Sequence, residues 1–155
     1  AEQAVHLSEE KKIVVVPTRT IPQGISAMLA VDPDCEDETA IAESMRDAAH
    51  HVRSGQVTYA ARDSEFDGKK IKEGEYLSLS EGKLCASGRE SSVLKKLVRE
   101  MVTDESEFAT VIYGEGVSEE QAAEVEALLH KENKDMEISV VDGGQPVYYY
   151  ILSVE

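Results

Sequence analysis

The stretch from Ile13 to Leu29 constrains the fold more than any other part of the chain. Ile13-Val14-Val15-Val16 is β-branched and apolar on both faces, the pattern of a buried central strand. Pro17 breaks the run, and Ile25, Met28 and Leu29 then recur three and four residues apart, as on one face of a helix. Strand, polar loop and helix form the unit with which an α/β sheet presents a site. The loop over 17–24 carries the hydroxyls of Thr18 and Thr20, the amide of Gln23 and the guanidinium of Arg19. Beside a helix start, free backbone N–H groups there favour an anion or a carboxylate. A plainer reading, in which two prolines and a glycine turn the chain and Arg19 is solvated, stands slightly ahead on these residues alone.

Two more runs, Phe108–Tyr113 and Glu137–Val141, read as buried strands. Between them Ser118-Glu119-Glu120-Gln121 matches a capping box, opening a helix with Ala122, Val125, Leu128 and Leu129 on its apolar stripe. Ile41, Met45, Ala48, Ala49 and Val52 mark another helix with Gly55 as its stop, and Leu94, Leu97, Val98 and Met101 a third. The middle of the chain is antiparallel in character. Gln56–Arg62 alternates as a strand, Asp67-Gly68 signals a turn, and Glu81-Gly82 joins Tyr76–Ser80 to Lys83–Ser87 as a hairpin. Val147–Val154 reads as the closing strand, on which Tyr149 faces away from Tyr148 and Tyr150. If the strands before loops 17–24, 113–117 and 142–146 lie parallel, those loops gather at one sheet edge. The expected architecture is α/β, a three-layer-like and mostly parallel sheet with an antiparallel hairpin insertion. Residues 1–12 are expected to be a linker remnant of a longer protein and 13–155 a single domain.

With 31 acidic against 16 basic residues the chain carries −15, which argues against nucleic acid and anionic membrane surfaces and favours a soluble protein or a basic protein partner. Cys35 and Cys85 match no metal spacing, and free thiols in a reducing cytoplasm are the simplest reading. No apolar run approaches the length of a membrane span, so no direct membrane insertion is expected. His50 and His51 point about 100° apart on a helix and cannot share a metal. There is no P-loop, and Gly114-Glu115-Gly116 alone is a weak nucleotide signal. The residues by themselves give an α/β domain with a site at its loop edge, and no reaction.

Three blocks carry a resemblance: Val14-Val15-Val16-Pro17-Thr18-Arg19-Thr20-Ile21-Pro22-Gln23-Gly24, then Gly55 through Asp63, then Gly143 through Glu155. In order and spacing they resemble the C-terminal domain of bacterial fatty acid kinase catalytic subunits, from about Lys12 to Glu155. The resemblance implies a DegV-like fold and a parent enzyme that phosphorylates the carboxylate of a fatty acid held by a separate DegV-type fatty-acid-binding protein. It implies no cofactor in this chain, with ATP and magnesium in an N-terminal dihydroxyacetone-kinase-like domain, and it leaves a homodimeric parent open. The domain is then expected to be non-catalytic and to dock the partner, with Thr18, Arg19, Thr20, Gln23, Arg62, Tyr113, Gln145 and Tyr149 as its candidate contact residues. Two other classes compete. One is a DegV-like module that itself holds an acyl chain or small carboxylate; the other is an enzyme acting alone. Scarce aromatics and the lack of an apolar surplus weigh against the first, and the absence of a nucleophile or metal constellation against the second.

Overall fold

A computed structural model describes residues 1–7, 11–66 and 68–155. Asp67 of the expected Asp67-Gly68 turn, and residues 8–10 of the expected linker, lie outside them. Two compact units divide the chain, Ala1–Val52 and Arg53–Glu155. The boundary falls inside the span expected to be one domain.

The first unit is helical. Helix α1 (Glu2–Leu7) is followed by α2 (Ile21–Leu29) and α3 (Glu38–His51). Thr20 caps α2, its hydroxyl accepting from the Gln23 N–H at 3.3 Å, while the Gln23 amide oxygen accepts from the Arg19 N–H at 2.9 Å. Asp37 caps α3 by accepting from the N–H groups of Thr39 and Ala40. The two helices pack through small buried residues, Ala27 on one and Ala42 and Ala49 on the other, with Ser44 donating to the Ala30 carbonyl across the contact.

One expectation fails in this unit. Ile13–Val16 is not a buried central strand: it pairs with no strand among the described residues, and Ile13 and Val14 are exposed. A β-branched run has strand propensity, but a strand exists only where another strand completes its ladder, and this unit offers helices alone. Ile25, Met28 and Leu29 do share a helix face, yet that face is exposed; α2 instead buries Pro22 and Ala27.

The second unit is built on β1 (Arg53–Tyr59), β2 (Ser64–Phe66), β3 (Lys69–Ile71), β4 (Tyr76–Ser80), β5 (Lys83–Gly88), α4 (Glu90–Met101), β6 (Phe108–Tyr113), α5 (Glu119–Glu132), β7 (Glu137–Asp142) and β8 (Tyr150–Val154). Six strands form one sheet in the order β5-β4-β1-β8-β6-β7, and β2–β3 is a separate ribbon. The sheet is mixed rather than mostly parallel, since only β6 and β7 run parallel. The β6–α5–β7 crossover follows the sequence pattern, but the closing strand returns antiparallel between β1 and β6.

The core lies between the sheet and helices α4 and α5. Leu94, Leu97, Val98 and Met101 all turn inward on α4 and meet Val57, Val111, Tyr150 and Leu152 of the sheet and Val125 and Leu129 of α5. Each such side chain contributes roughly 1.5–3 kcal/mol of burial. Ser118 and Gln121 form the expected capping box at the start of α5. Glu81 and Gly82 adopt φ of 50° and 75°, as a two-residue hairpin turn requires. Gly55 lies within β1 and stops no helix; a Cβ there would overlap the buried Met101 side chain, so close packing of α4 on the strand explains the glycine. No helix of the described residues is long and apolar enough to cross a membrane.

Candidate functional site

The carboxyl ends of β6 and β7 are the place where the two sequence-predicted loops of the second unit meet. To travel from β7 to β8 the chain must cross the end of β6, which lies between them. Residues 143–149 make that crossing, pinned to β6 by three backbone bonds: Gly143 N–H to the Tyr113 carbonyl, Glu115 N–H to that of Gln145, and Gly114 N–H to that of Tyr149. The Gln145 side chain reinforces them, its amide donating to the carbonyls of Ile112 at 3.2 Å and Tyr148 at 3.3 Å. Gly114 is dictated by this crossing, because a Cβ would collide with the carbonyl oxygens of Tyr148 and Gln145.

At the outer point of the crossing Val147 sits at φ 73°, a conformation that β-branched residues rarely adopt. The Tyr148 N–H closes a tight three-residue turn on the Pro146 carbonyl at 2.8 Å, and the Thr58 hydroxyl holds the Val147 carbonyl at 2.9 Å. The turn leaves Val147 56% exposed. Backbone strain of this kind persists only where its surroundings enforce it, and it concentrates at functional sites.

All six tyrosines of the chain collect at this end of the sheet. Tyr59 of β1 stands opposite Tyr76 of β4, Tyr113 of β6 opposite Tyr150 of β8, and Tyr148 and Tyr149 lead into β8. Tyr149 stacks at a tilt on Tyr76 and Tyr59, with ring centroids 5.0 and 6.2 Å away. Tyr59, Tyr148, Tyr149 and Val147, with Glu115 and Gln145, line a hollow of about 210 Å³. Carboxylates surround the rings. Tyr150 donates to Glu90 at 3.2 Å. Burial, and secondarily nearby Glu90, raises the Tyr150 and Tyr76 hydroxyls above the usual tyrosine value; burial with Asp142 and Glu119 does the same for Tyr113.

The structure brings Tyr113, Gln145 and Tyr149 to the same sheet end, with Gln145 bracing the loop and Tyr149 in the ring cluster. Tyr149 does not alternate along a regular strand with both neighbours, since β8 begins only at Tyr150. Arg62 is exposed in the bend after β1. Thr18, Arg19, Thr20 and Gln23 belong to the first unit, where Thr20 and Gln23 serve the α2 cap and the Arg19 guanidinium is exposed. Sequence reasoning misses Thr58, Tyr59, Glu115, Val147 and Tyr148. The tyrosines at strand ends are a usable signal, but the strained turn at Val147 has none.

Among the described residues no three His, Cys, Asp or Glu side chains converge on a metal position. Cys85, elsewhere in the unit, donates its thiol to Glu100 at 3.0 Å, and burial raises its pKa, which makes it a weak nucleophile.

Comparison with known proteins gives this geometry its family. Residues 1–155 match the model of the FakA-like C-terminal family of fatty acid kinase. Protein YloV of Bacillus subtilis (strain 168) is 40% identical over 156 residues, an alignment covering 100% of this chain and 28% of that protein. The chain therefore spans 28% of the length of the curated relatives it matches. Among solved structures, the DegV family protein Cg2579 from Corynebacterium glutamicum aligns with a TM-score of 0.66 at 16% identity, covering 99% of this chain and 66% of that one. A DegV family protein from Ruminococcus gnavus ATCC 29149, crystallised with vaccenic acid, aligns at 0.60 and 17% identity, over 99% of this chain and 64% of its own. With its match across every residue and its DegV-like α/β fold, the chain belongs to the FakA-like C-terminal family of fatty acid kinase.

Proposed function

We propose that this chain is the non-catalytic docking part of a fatty acid kinase, holding a DegV-type fatty-acid-binding protein while the parent's ATP domain phosphorylates the bound fatty acid to an acyl phosphate. The observation that carries this reading is the gathering of six tyrosines, ringed by carboxylates, around an exposed and strained turn at one sheet end. Tyrosine is the residue of interface hot spots, offering a large rigid face and a polar tip. The hollow lined by Tyr59, Tyr148, Tyr149 and Glu115 suits a lysine or arginine of a basic partner surface, held by the ring faces and the carboxylate. In the first unit, exposed Arg19 supplies a second contact, to a carboxylate.

ATP and magnesium are assigned to the N-terminal domain of the parent. The Gly114-Glu115-Gly116 loop does not fit a triphosphate. The N–H groups of Gly114 and Glu115 are spent on carbonyls of the crossing loop, and the space beside Gly114 is filled by carbonyl oxygens, which repel phosphate.

A second reading is direct acyl binding, favoured by a hollow of about 290 Å³ between α4 and α5 with apolar walls of Leu94, Val125 and Leu128. Glu90 and Glu124 line the same hollow and outnumber its one cation, Lys95, so its net charge disfavours a fatty acid carboxylate and docking is the better account.

The test is titration of the full-length protein with its fatty-acid-binding partner. Tyr148→Ala is expected to weaken the complex by roughly 1–3 kcal/mol, the scale of an interface anchor, and Arg19→Ala by a similar amount, the scale of a charge-assisted hydrogen bond. Neither should change the melting temperature. Unchanged affinity in both variants removes the docking assignment, and fatty acid extracted from the purified chain selects the acyl-binding reading.

A further inference from the structure

The first unit looks outward. Nine of the thirteen large hydrophobic side chains exposed among the described residues lie in its 52 residues. On α2, Ile21, Ile25, Met28 and Leu29 fall at i, i+4, i+7 and i+8, one continuous face, with exposures of 53%, 39%, 64% and 81%. On α4 the comparable stripe of Leu94, Leu97, Val98 and Met101 is no more than 5% exposed. The same amphipathic logic is satisfied on one helix and left open on the other.

Ile13–Val16 is open in a second sense. It carries strand-forming residues, but no backbone–backbone hydrogen bond joins it to any described residue, and what holds it is Arg46 donating to the Val15 carbonyl at 3.4 Å. An apolar β-branched run with an unmade ladder, followed in the chain by a helix whose apolar face is open, fits one edge of an α/β layer whose remaining strands are elsewhere.

We propose that those strands come from the polypeptide immediately N-terminal to residue 1 in the full-length protein. It pairs with Ile13–Val16 and covers the Ile21–Leu29 face of α2. The relatives provide the length: this chain matches a C-terminal family and only 28% of their span, which leaves polypeptide available on its N-terminal side. The DegV fold provides the space, because the chain accounts for 66% of that solved structure. A second copy is the poorer occupant, since two surfaces of a chain carrying −15 repel. The lipid-carrying partner is poorer too, because between visits it would leave this face and an unpaired strand edge in water. The docking proposal does not depend on this pairing.

Hydrogen–deuterium exchange on the full-length protein, without its partner and over a range of concentrations, tests this. Amides of residues 13–16 are expected to exchange about 100-fold or more slowly than an unstructured chain, as in a packed strand. A Met28→Cys thiol in the same protein should resist a maleimide. Exchange at 13–16 as fast as in an unstructured chain overturns the proposal. So does protection that vanishes on dilution, which would indicate a second copy, or protection that appears only after the fatty-acid-binding partner is added.

Discussion

Tyr150 joins the core to the candidate site. It is 1% exposed and packs among core residues, while its hydroxyl reaches Glu90. Burial and that carboxylate both disfavour the phenolate, raising the folded-state pKa above the ordinary 10.0. Below pH 10 the phenol is neutral in the folded and unfolded chain alike, and its contribution to stability is intact. Above about pH 10 the unfolded chain releases the proton and the folded chain retains it, so stability falls as pH rises, until the folded group also ionises. Tyr76 and Tyr113 are shifted in the same direction and act in the same window. Tyr150→Phe is therefore expected to flatten, but not abolish, the alkaline fall in melting temperature. At neutral pH it should cost about 0.5–1.5 kcal/mol for the lost hydrogen bond. A variant whose alkaline fall matches the parent's would show that Tyr150 does not carry it.

At the scale of elements, the crossing over β6 is the feature most sensitive to substitution. Gly114→Ala is expected to destabilise the second unit by roughly 1–3 kcal/mol, because its methyl meets backbone carbonyls that cannot rotate away. It should weaken partner binding as well, since the crossing carries Val147 and Tyr148; calorimetry and titration on one preparation read both effects. Elements with self-contained signals are legible in the sequence. The Ser118–Gln121 box starts α5, the stripe ending at Met101 is buried on α4, and Glu81-Gly82 turns β4 into β5. Phe108–Tyr113 is β6 to the residue. What fails is relational. Ile13–Val16 has the composition of a strand, but pairing depends on residues far away in sequence. The direction of β8 is equally invisible in Val147–Val154, whose pattern suits either orientation. At the site, Tyr113, Gln145 and Tyr149 are legible because they border loops that follow strands, whereas Tyr59 merges into an alternating pattern and Thr58 beside it carries no signal of its own. Val147 is beyond reach of the sequence, since its strain exists only once Thr58 and Gln145 hold the loop.

Across the whole molecule, charge sets the terms of encounter. A chain carrying −15 attracts a basic partner surface over distances that salt shortens, with a Debye length of about 30 Å at 0.01 M and about 8 Å at physiological ionic strength. The association rate with the proposed fatty-acid-binding partner is expected to fall several-fold across that range while dissociation changes little. Stopped-flow mixing at a series of salt concentrations checks it, and an association rate indifferent to salt would leave the acidic surface no part in steering. The position of β8 has a consequence of another kind. The last strand of the sequence lies in the middle of the sheet, between β1 and β6, and Glu155 still exchanges backbone bonds with Phe108. During translation β1, β4 and β5 can assemble as a meander and β6, α5 and β7 as a crossover unit, but the two halves have nothing to join them until Val154 leaves the ribosome. The second unit is synthesised as two open-edged pieces and becomes one sheet only when β8 is made, so a chain interrupted before β8 leaves two unpaired edges, those of β1 and β6, exposed to aggregation.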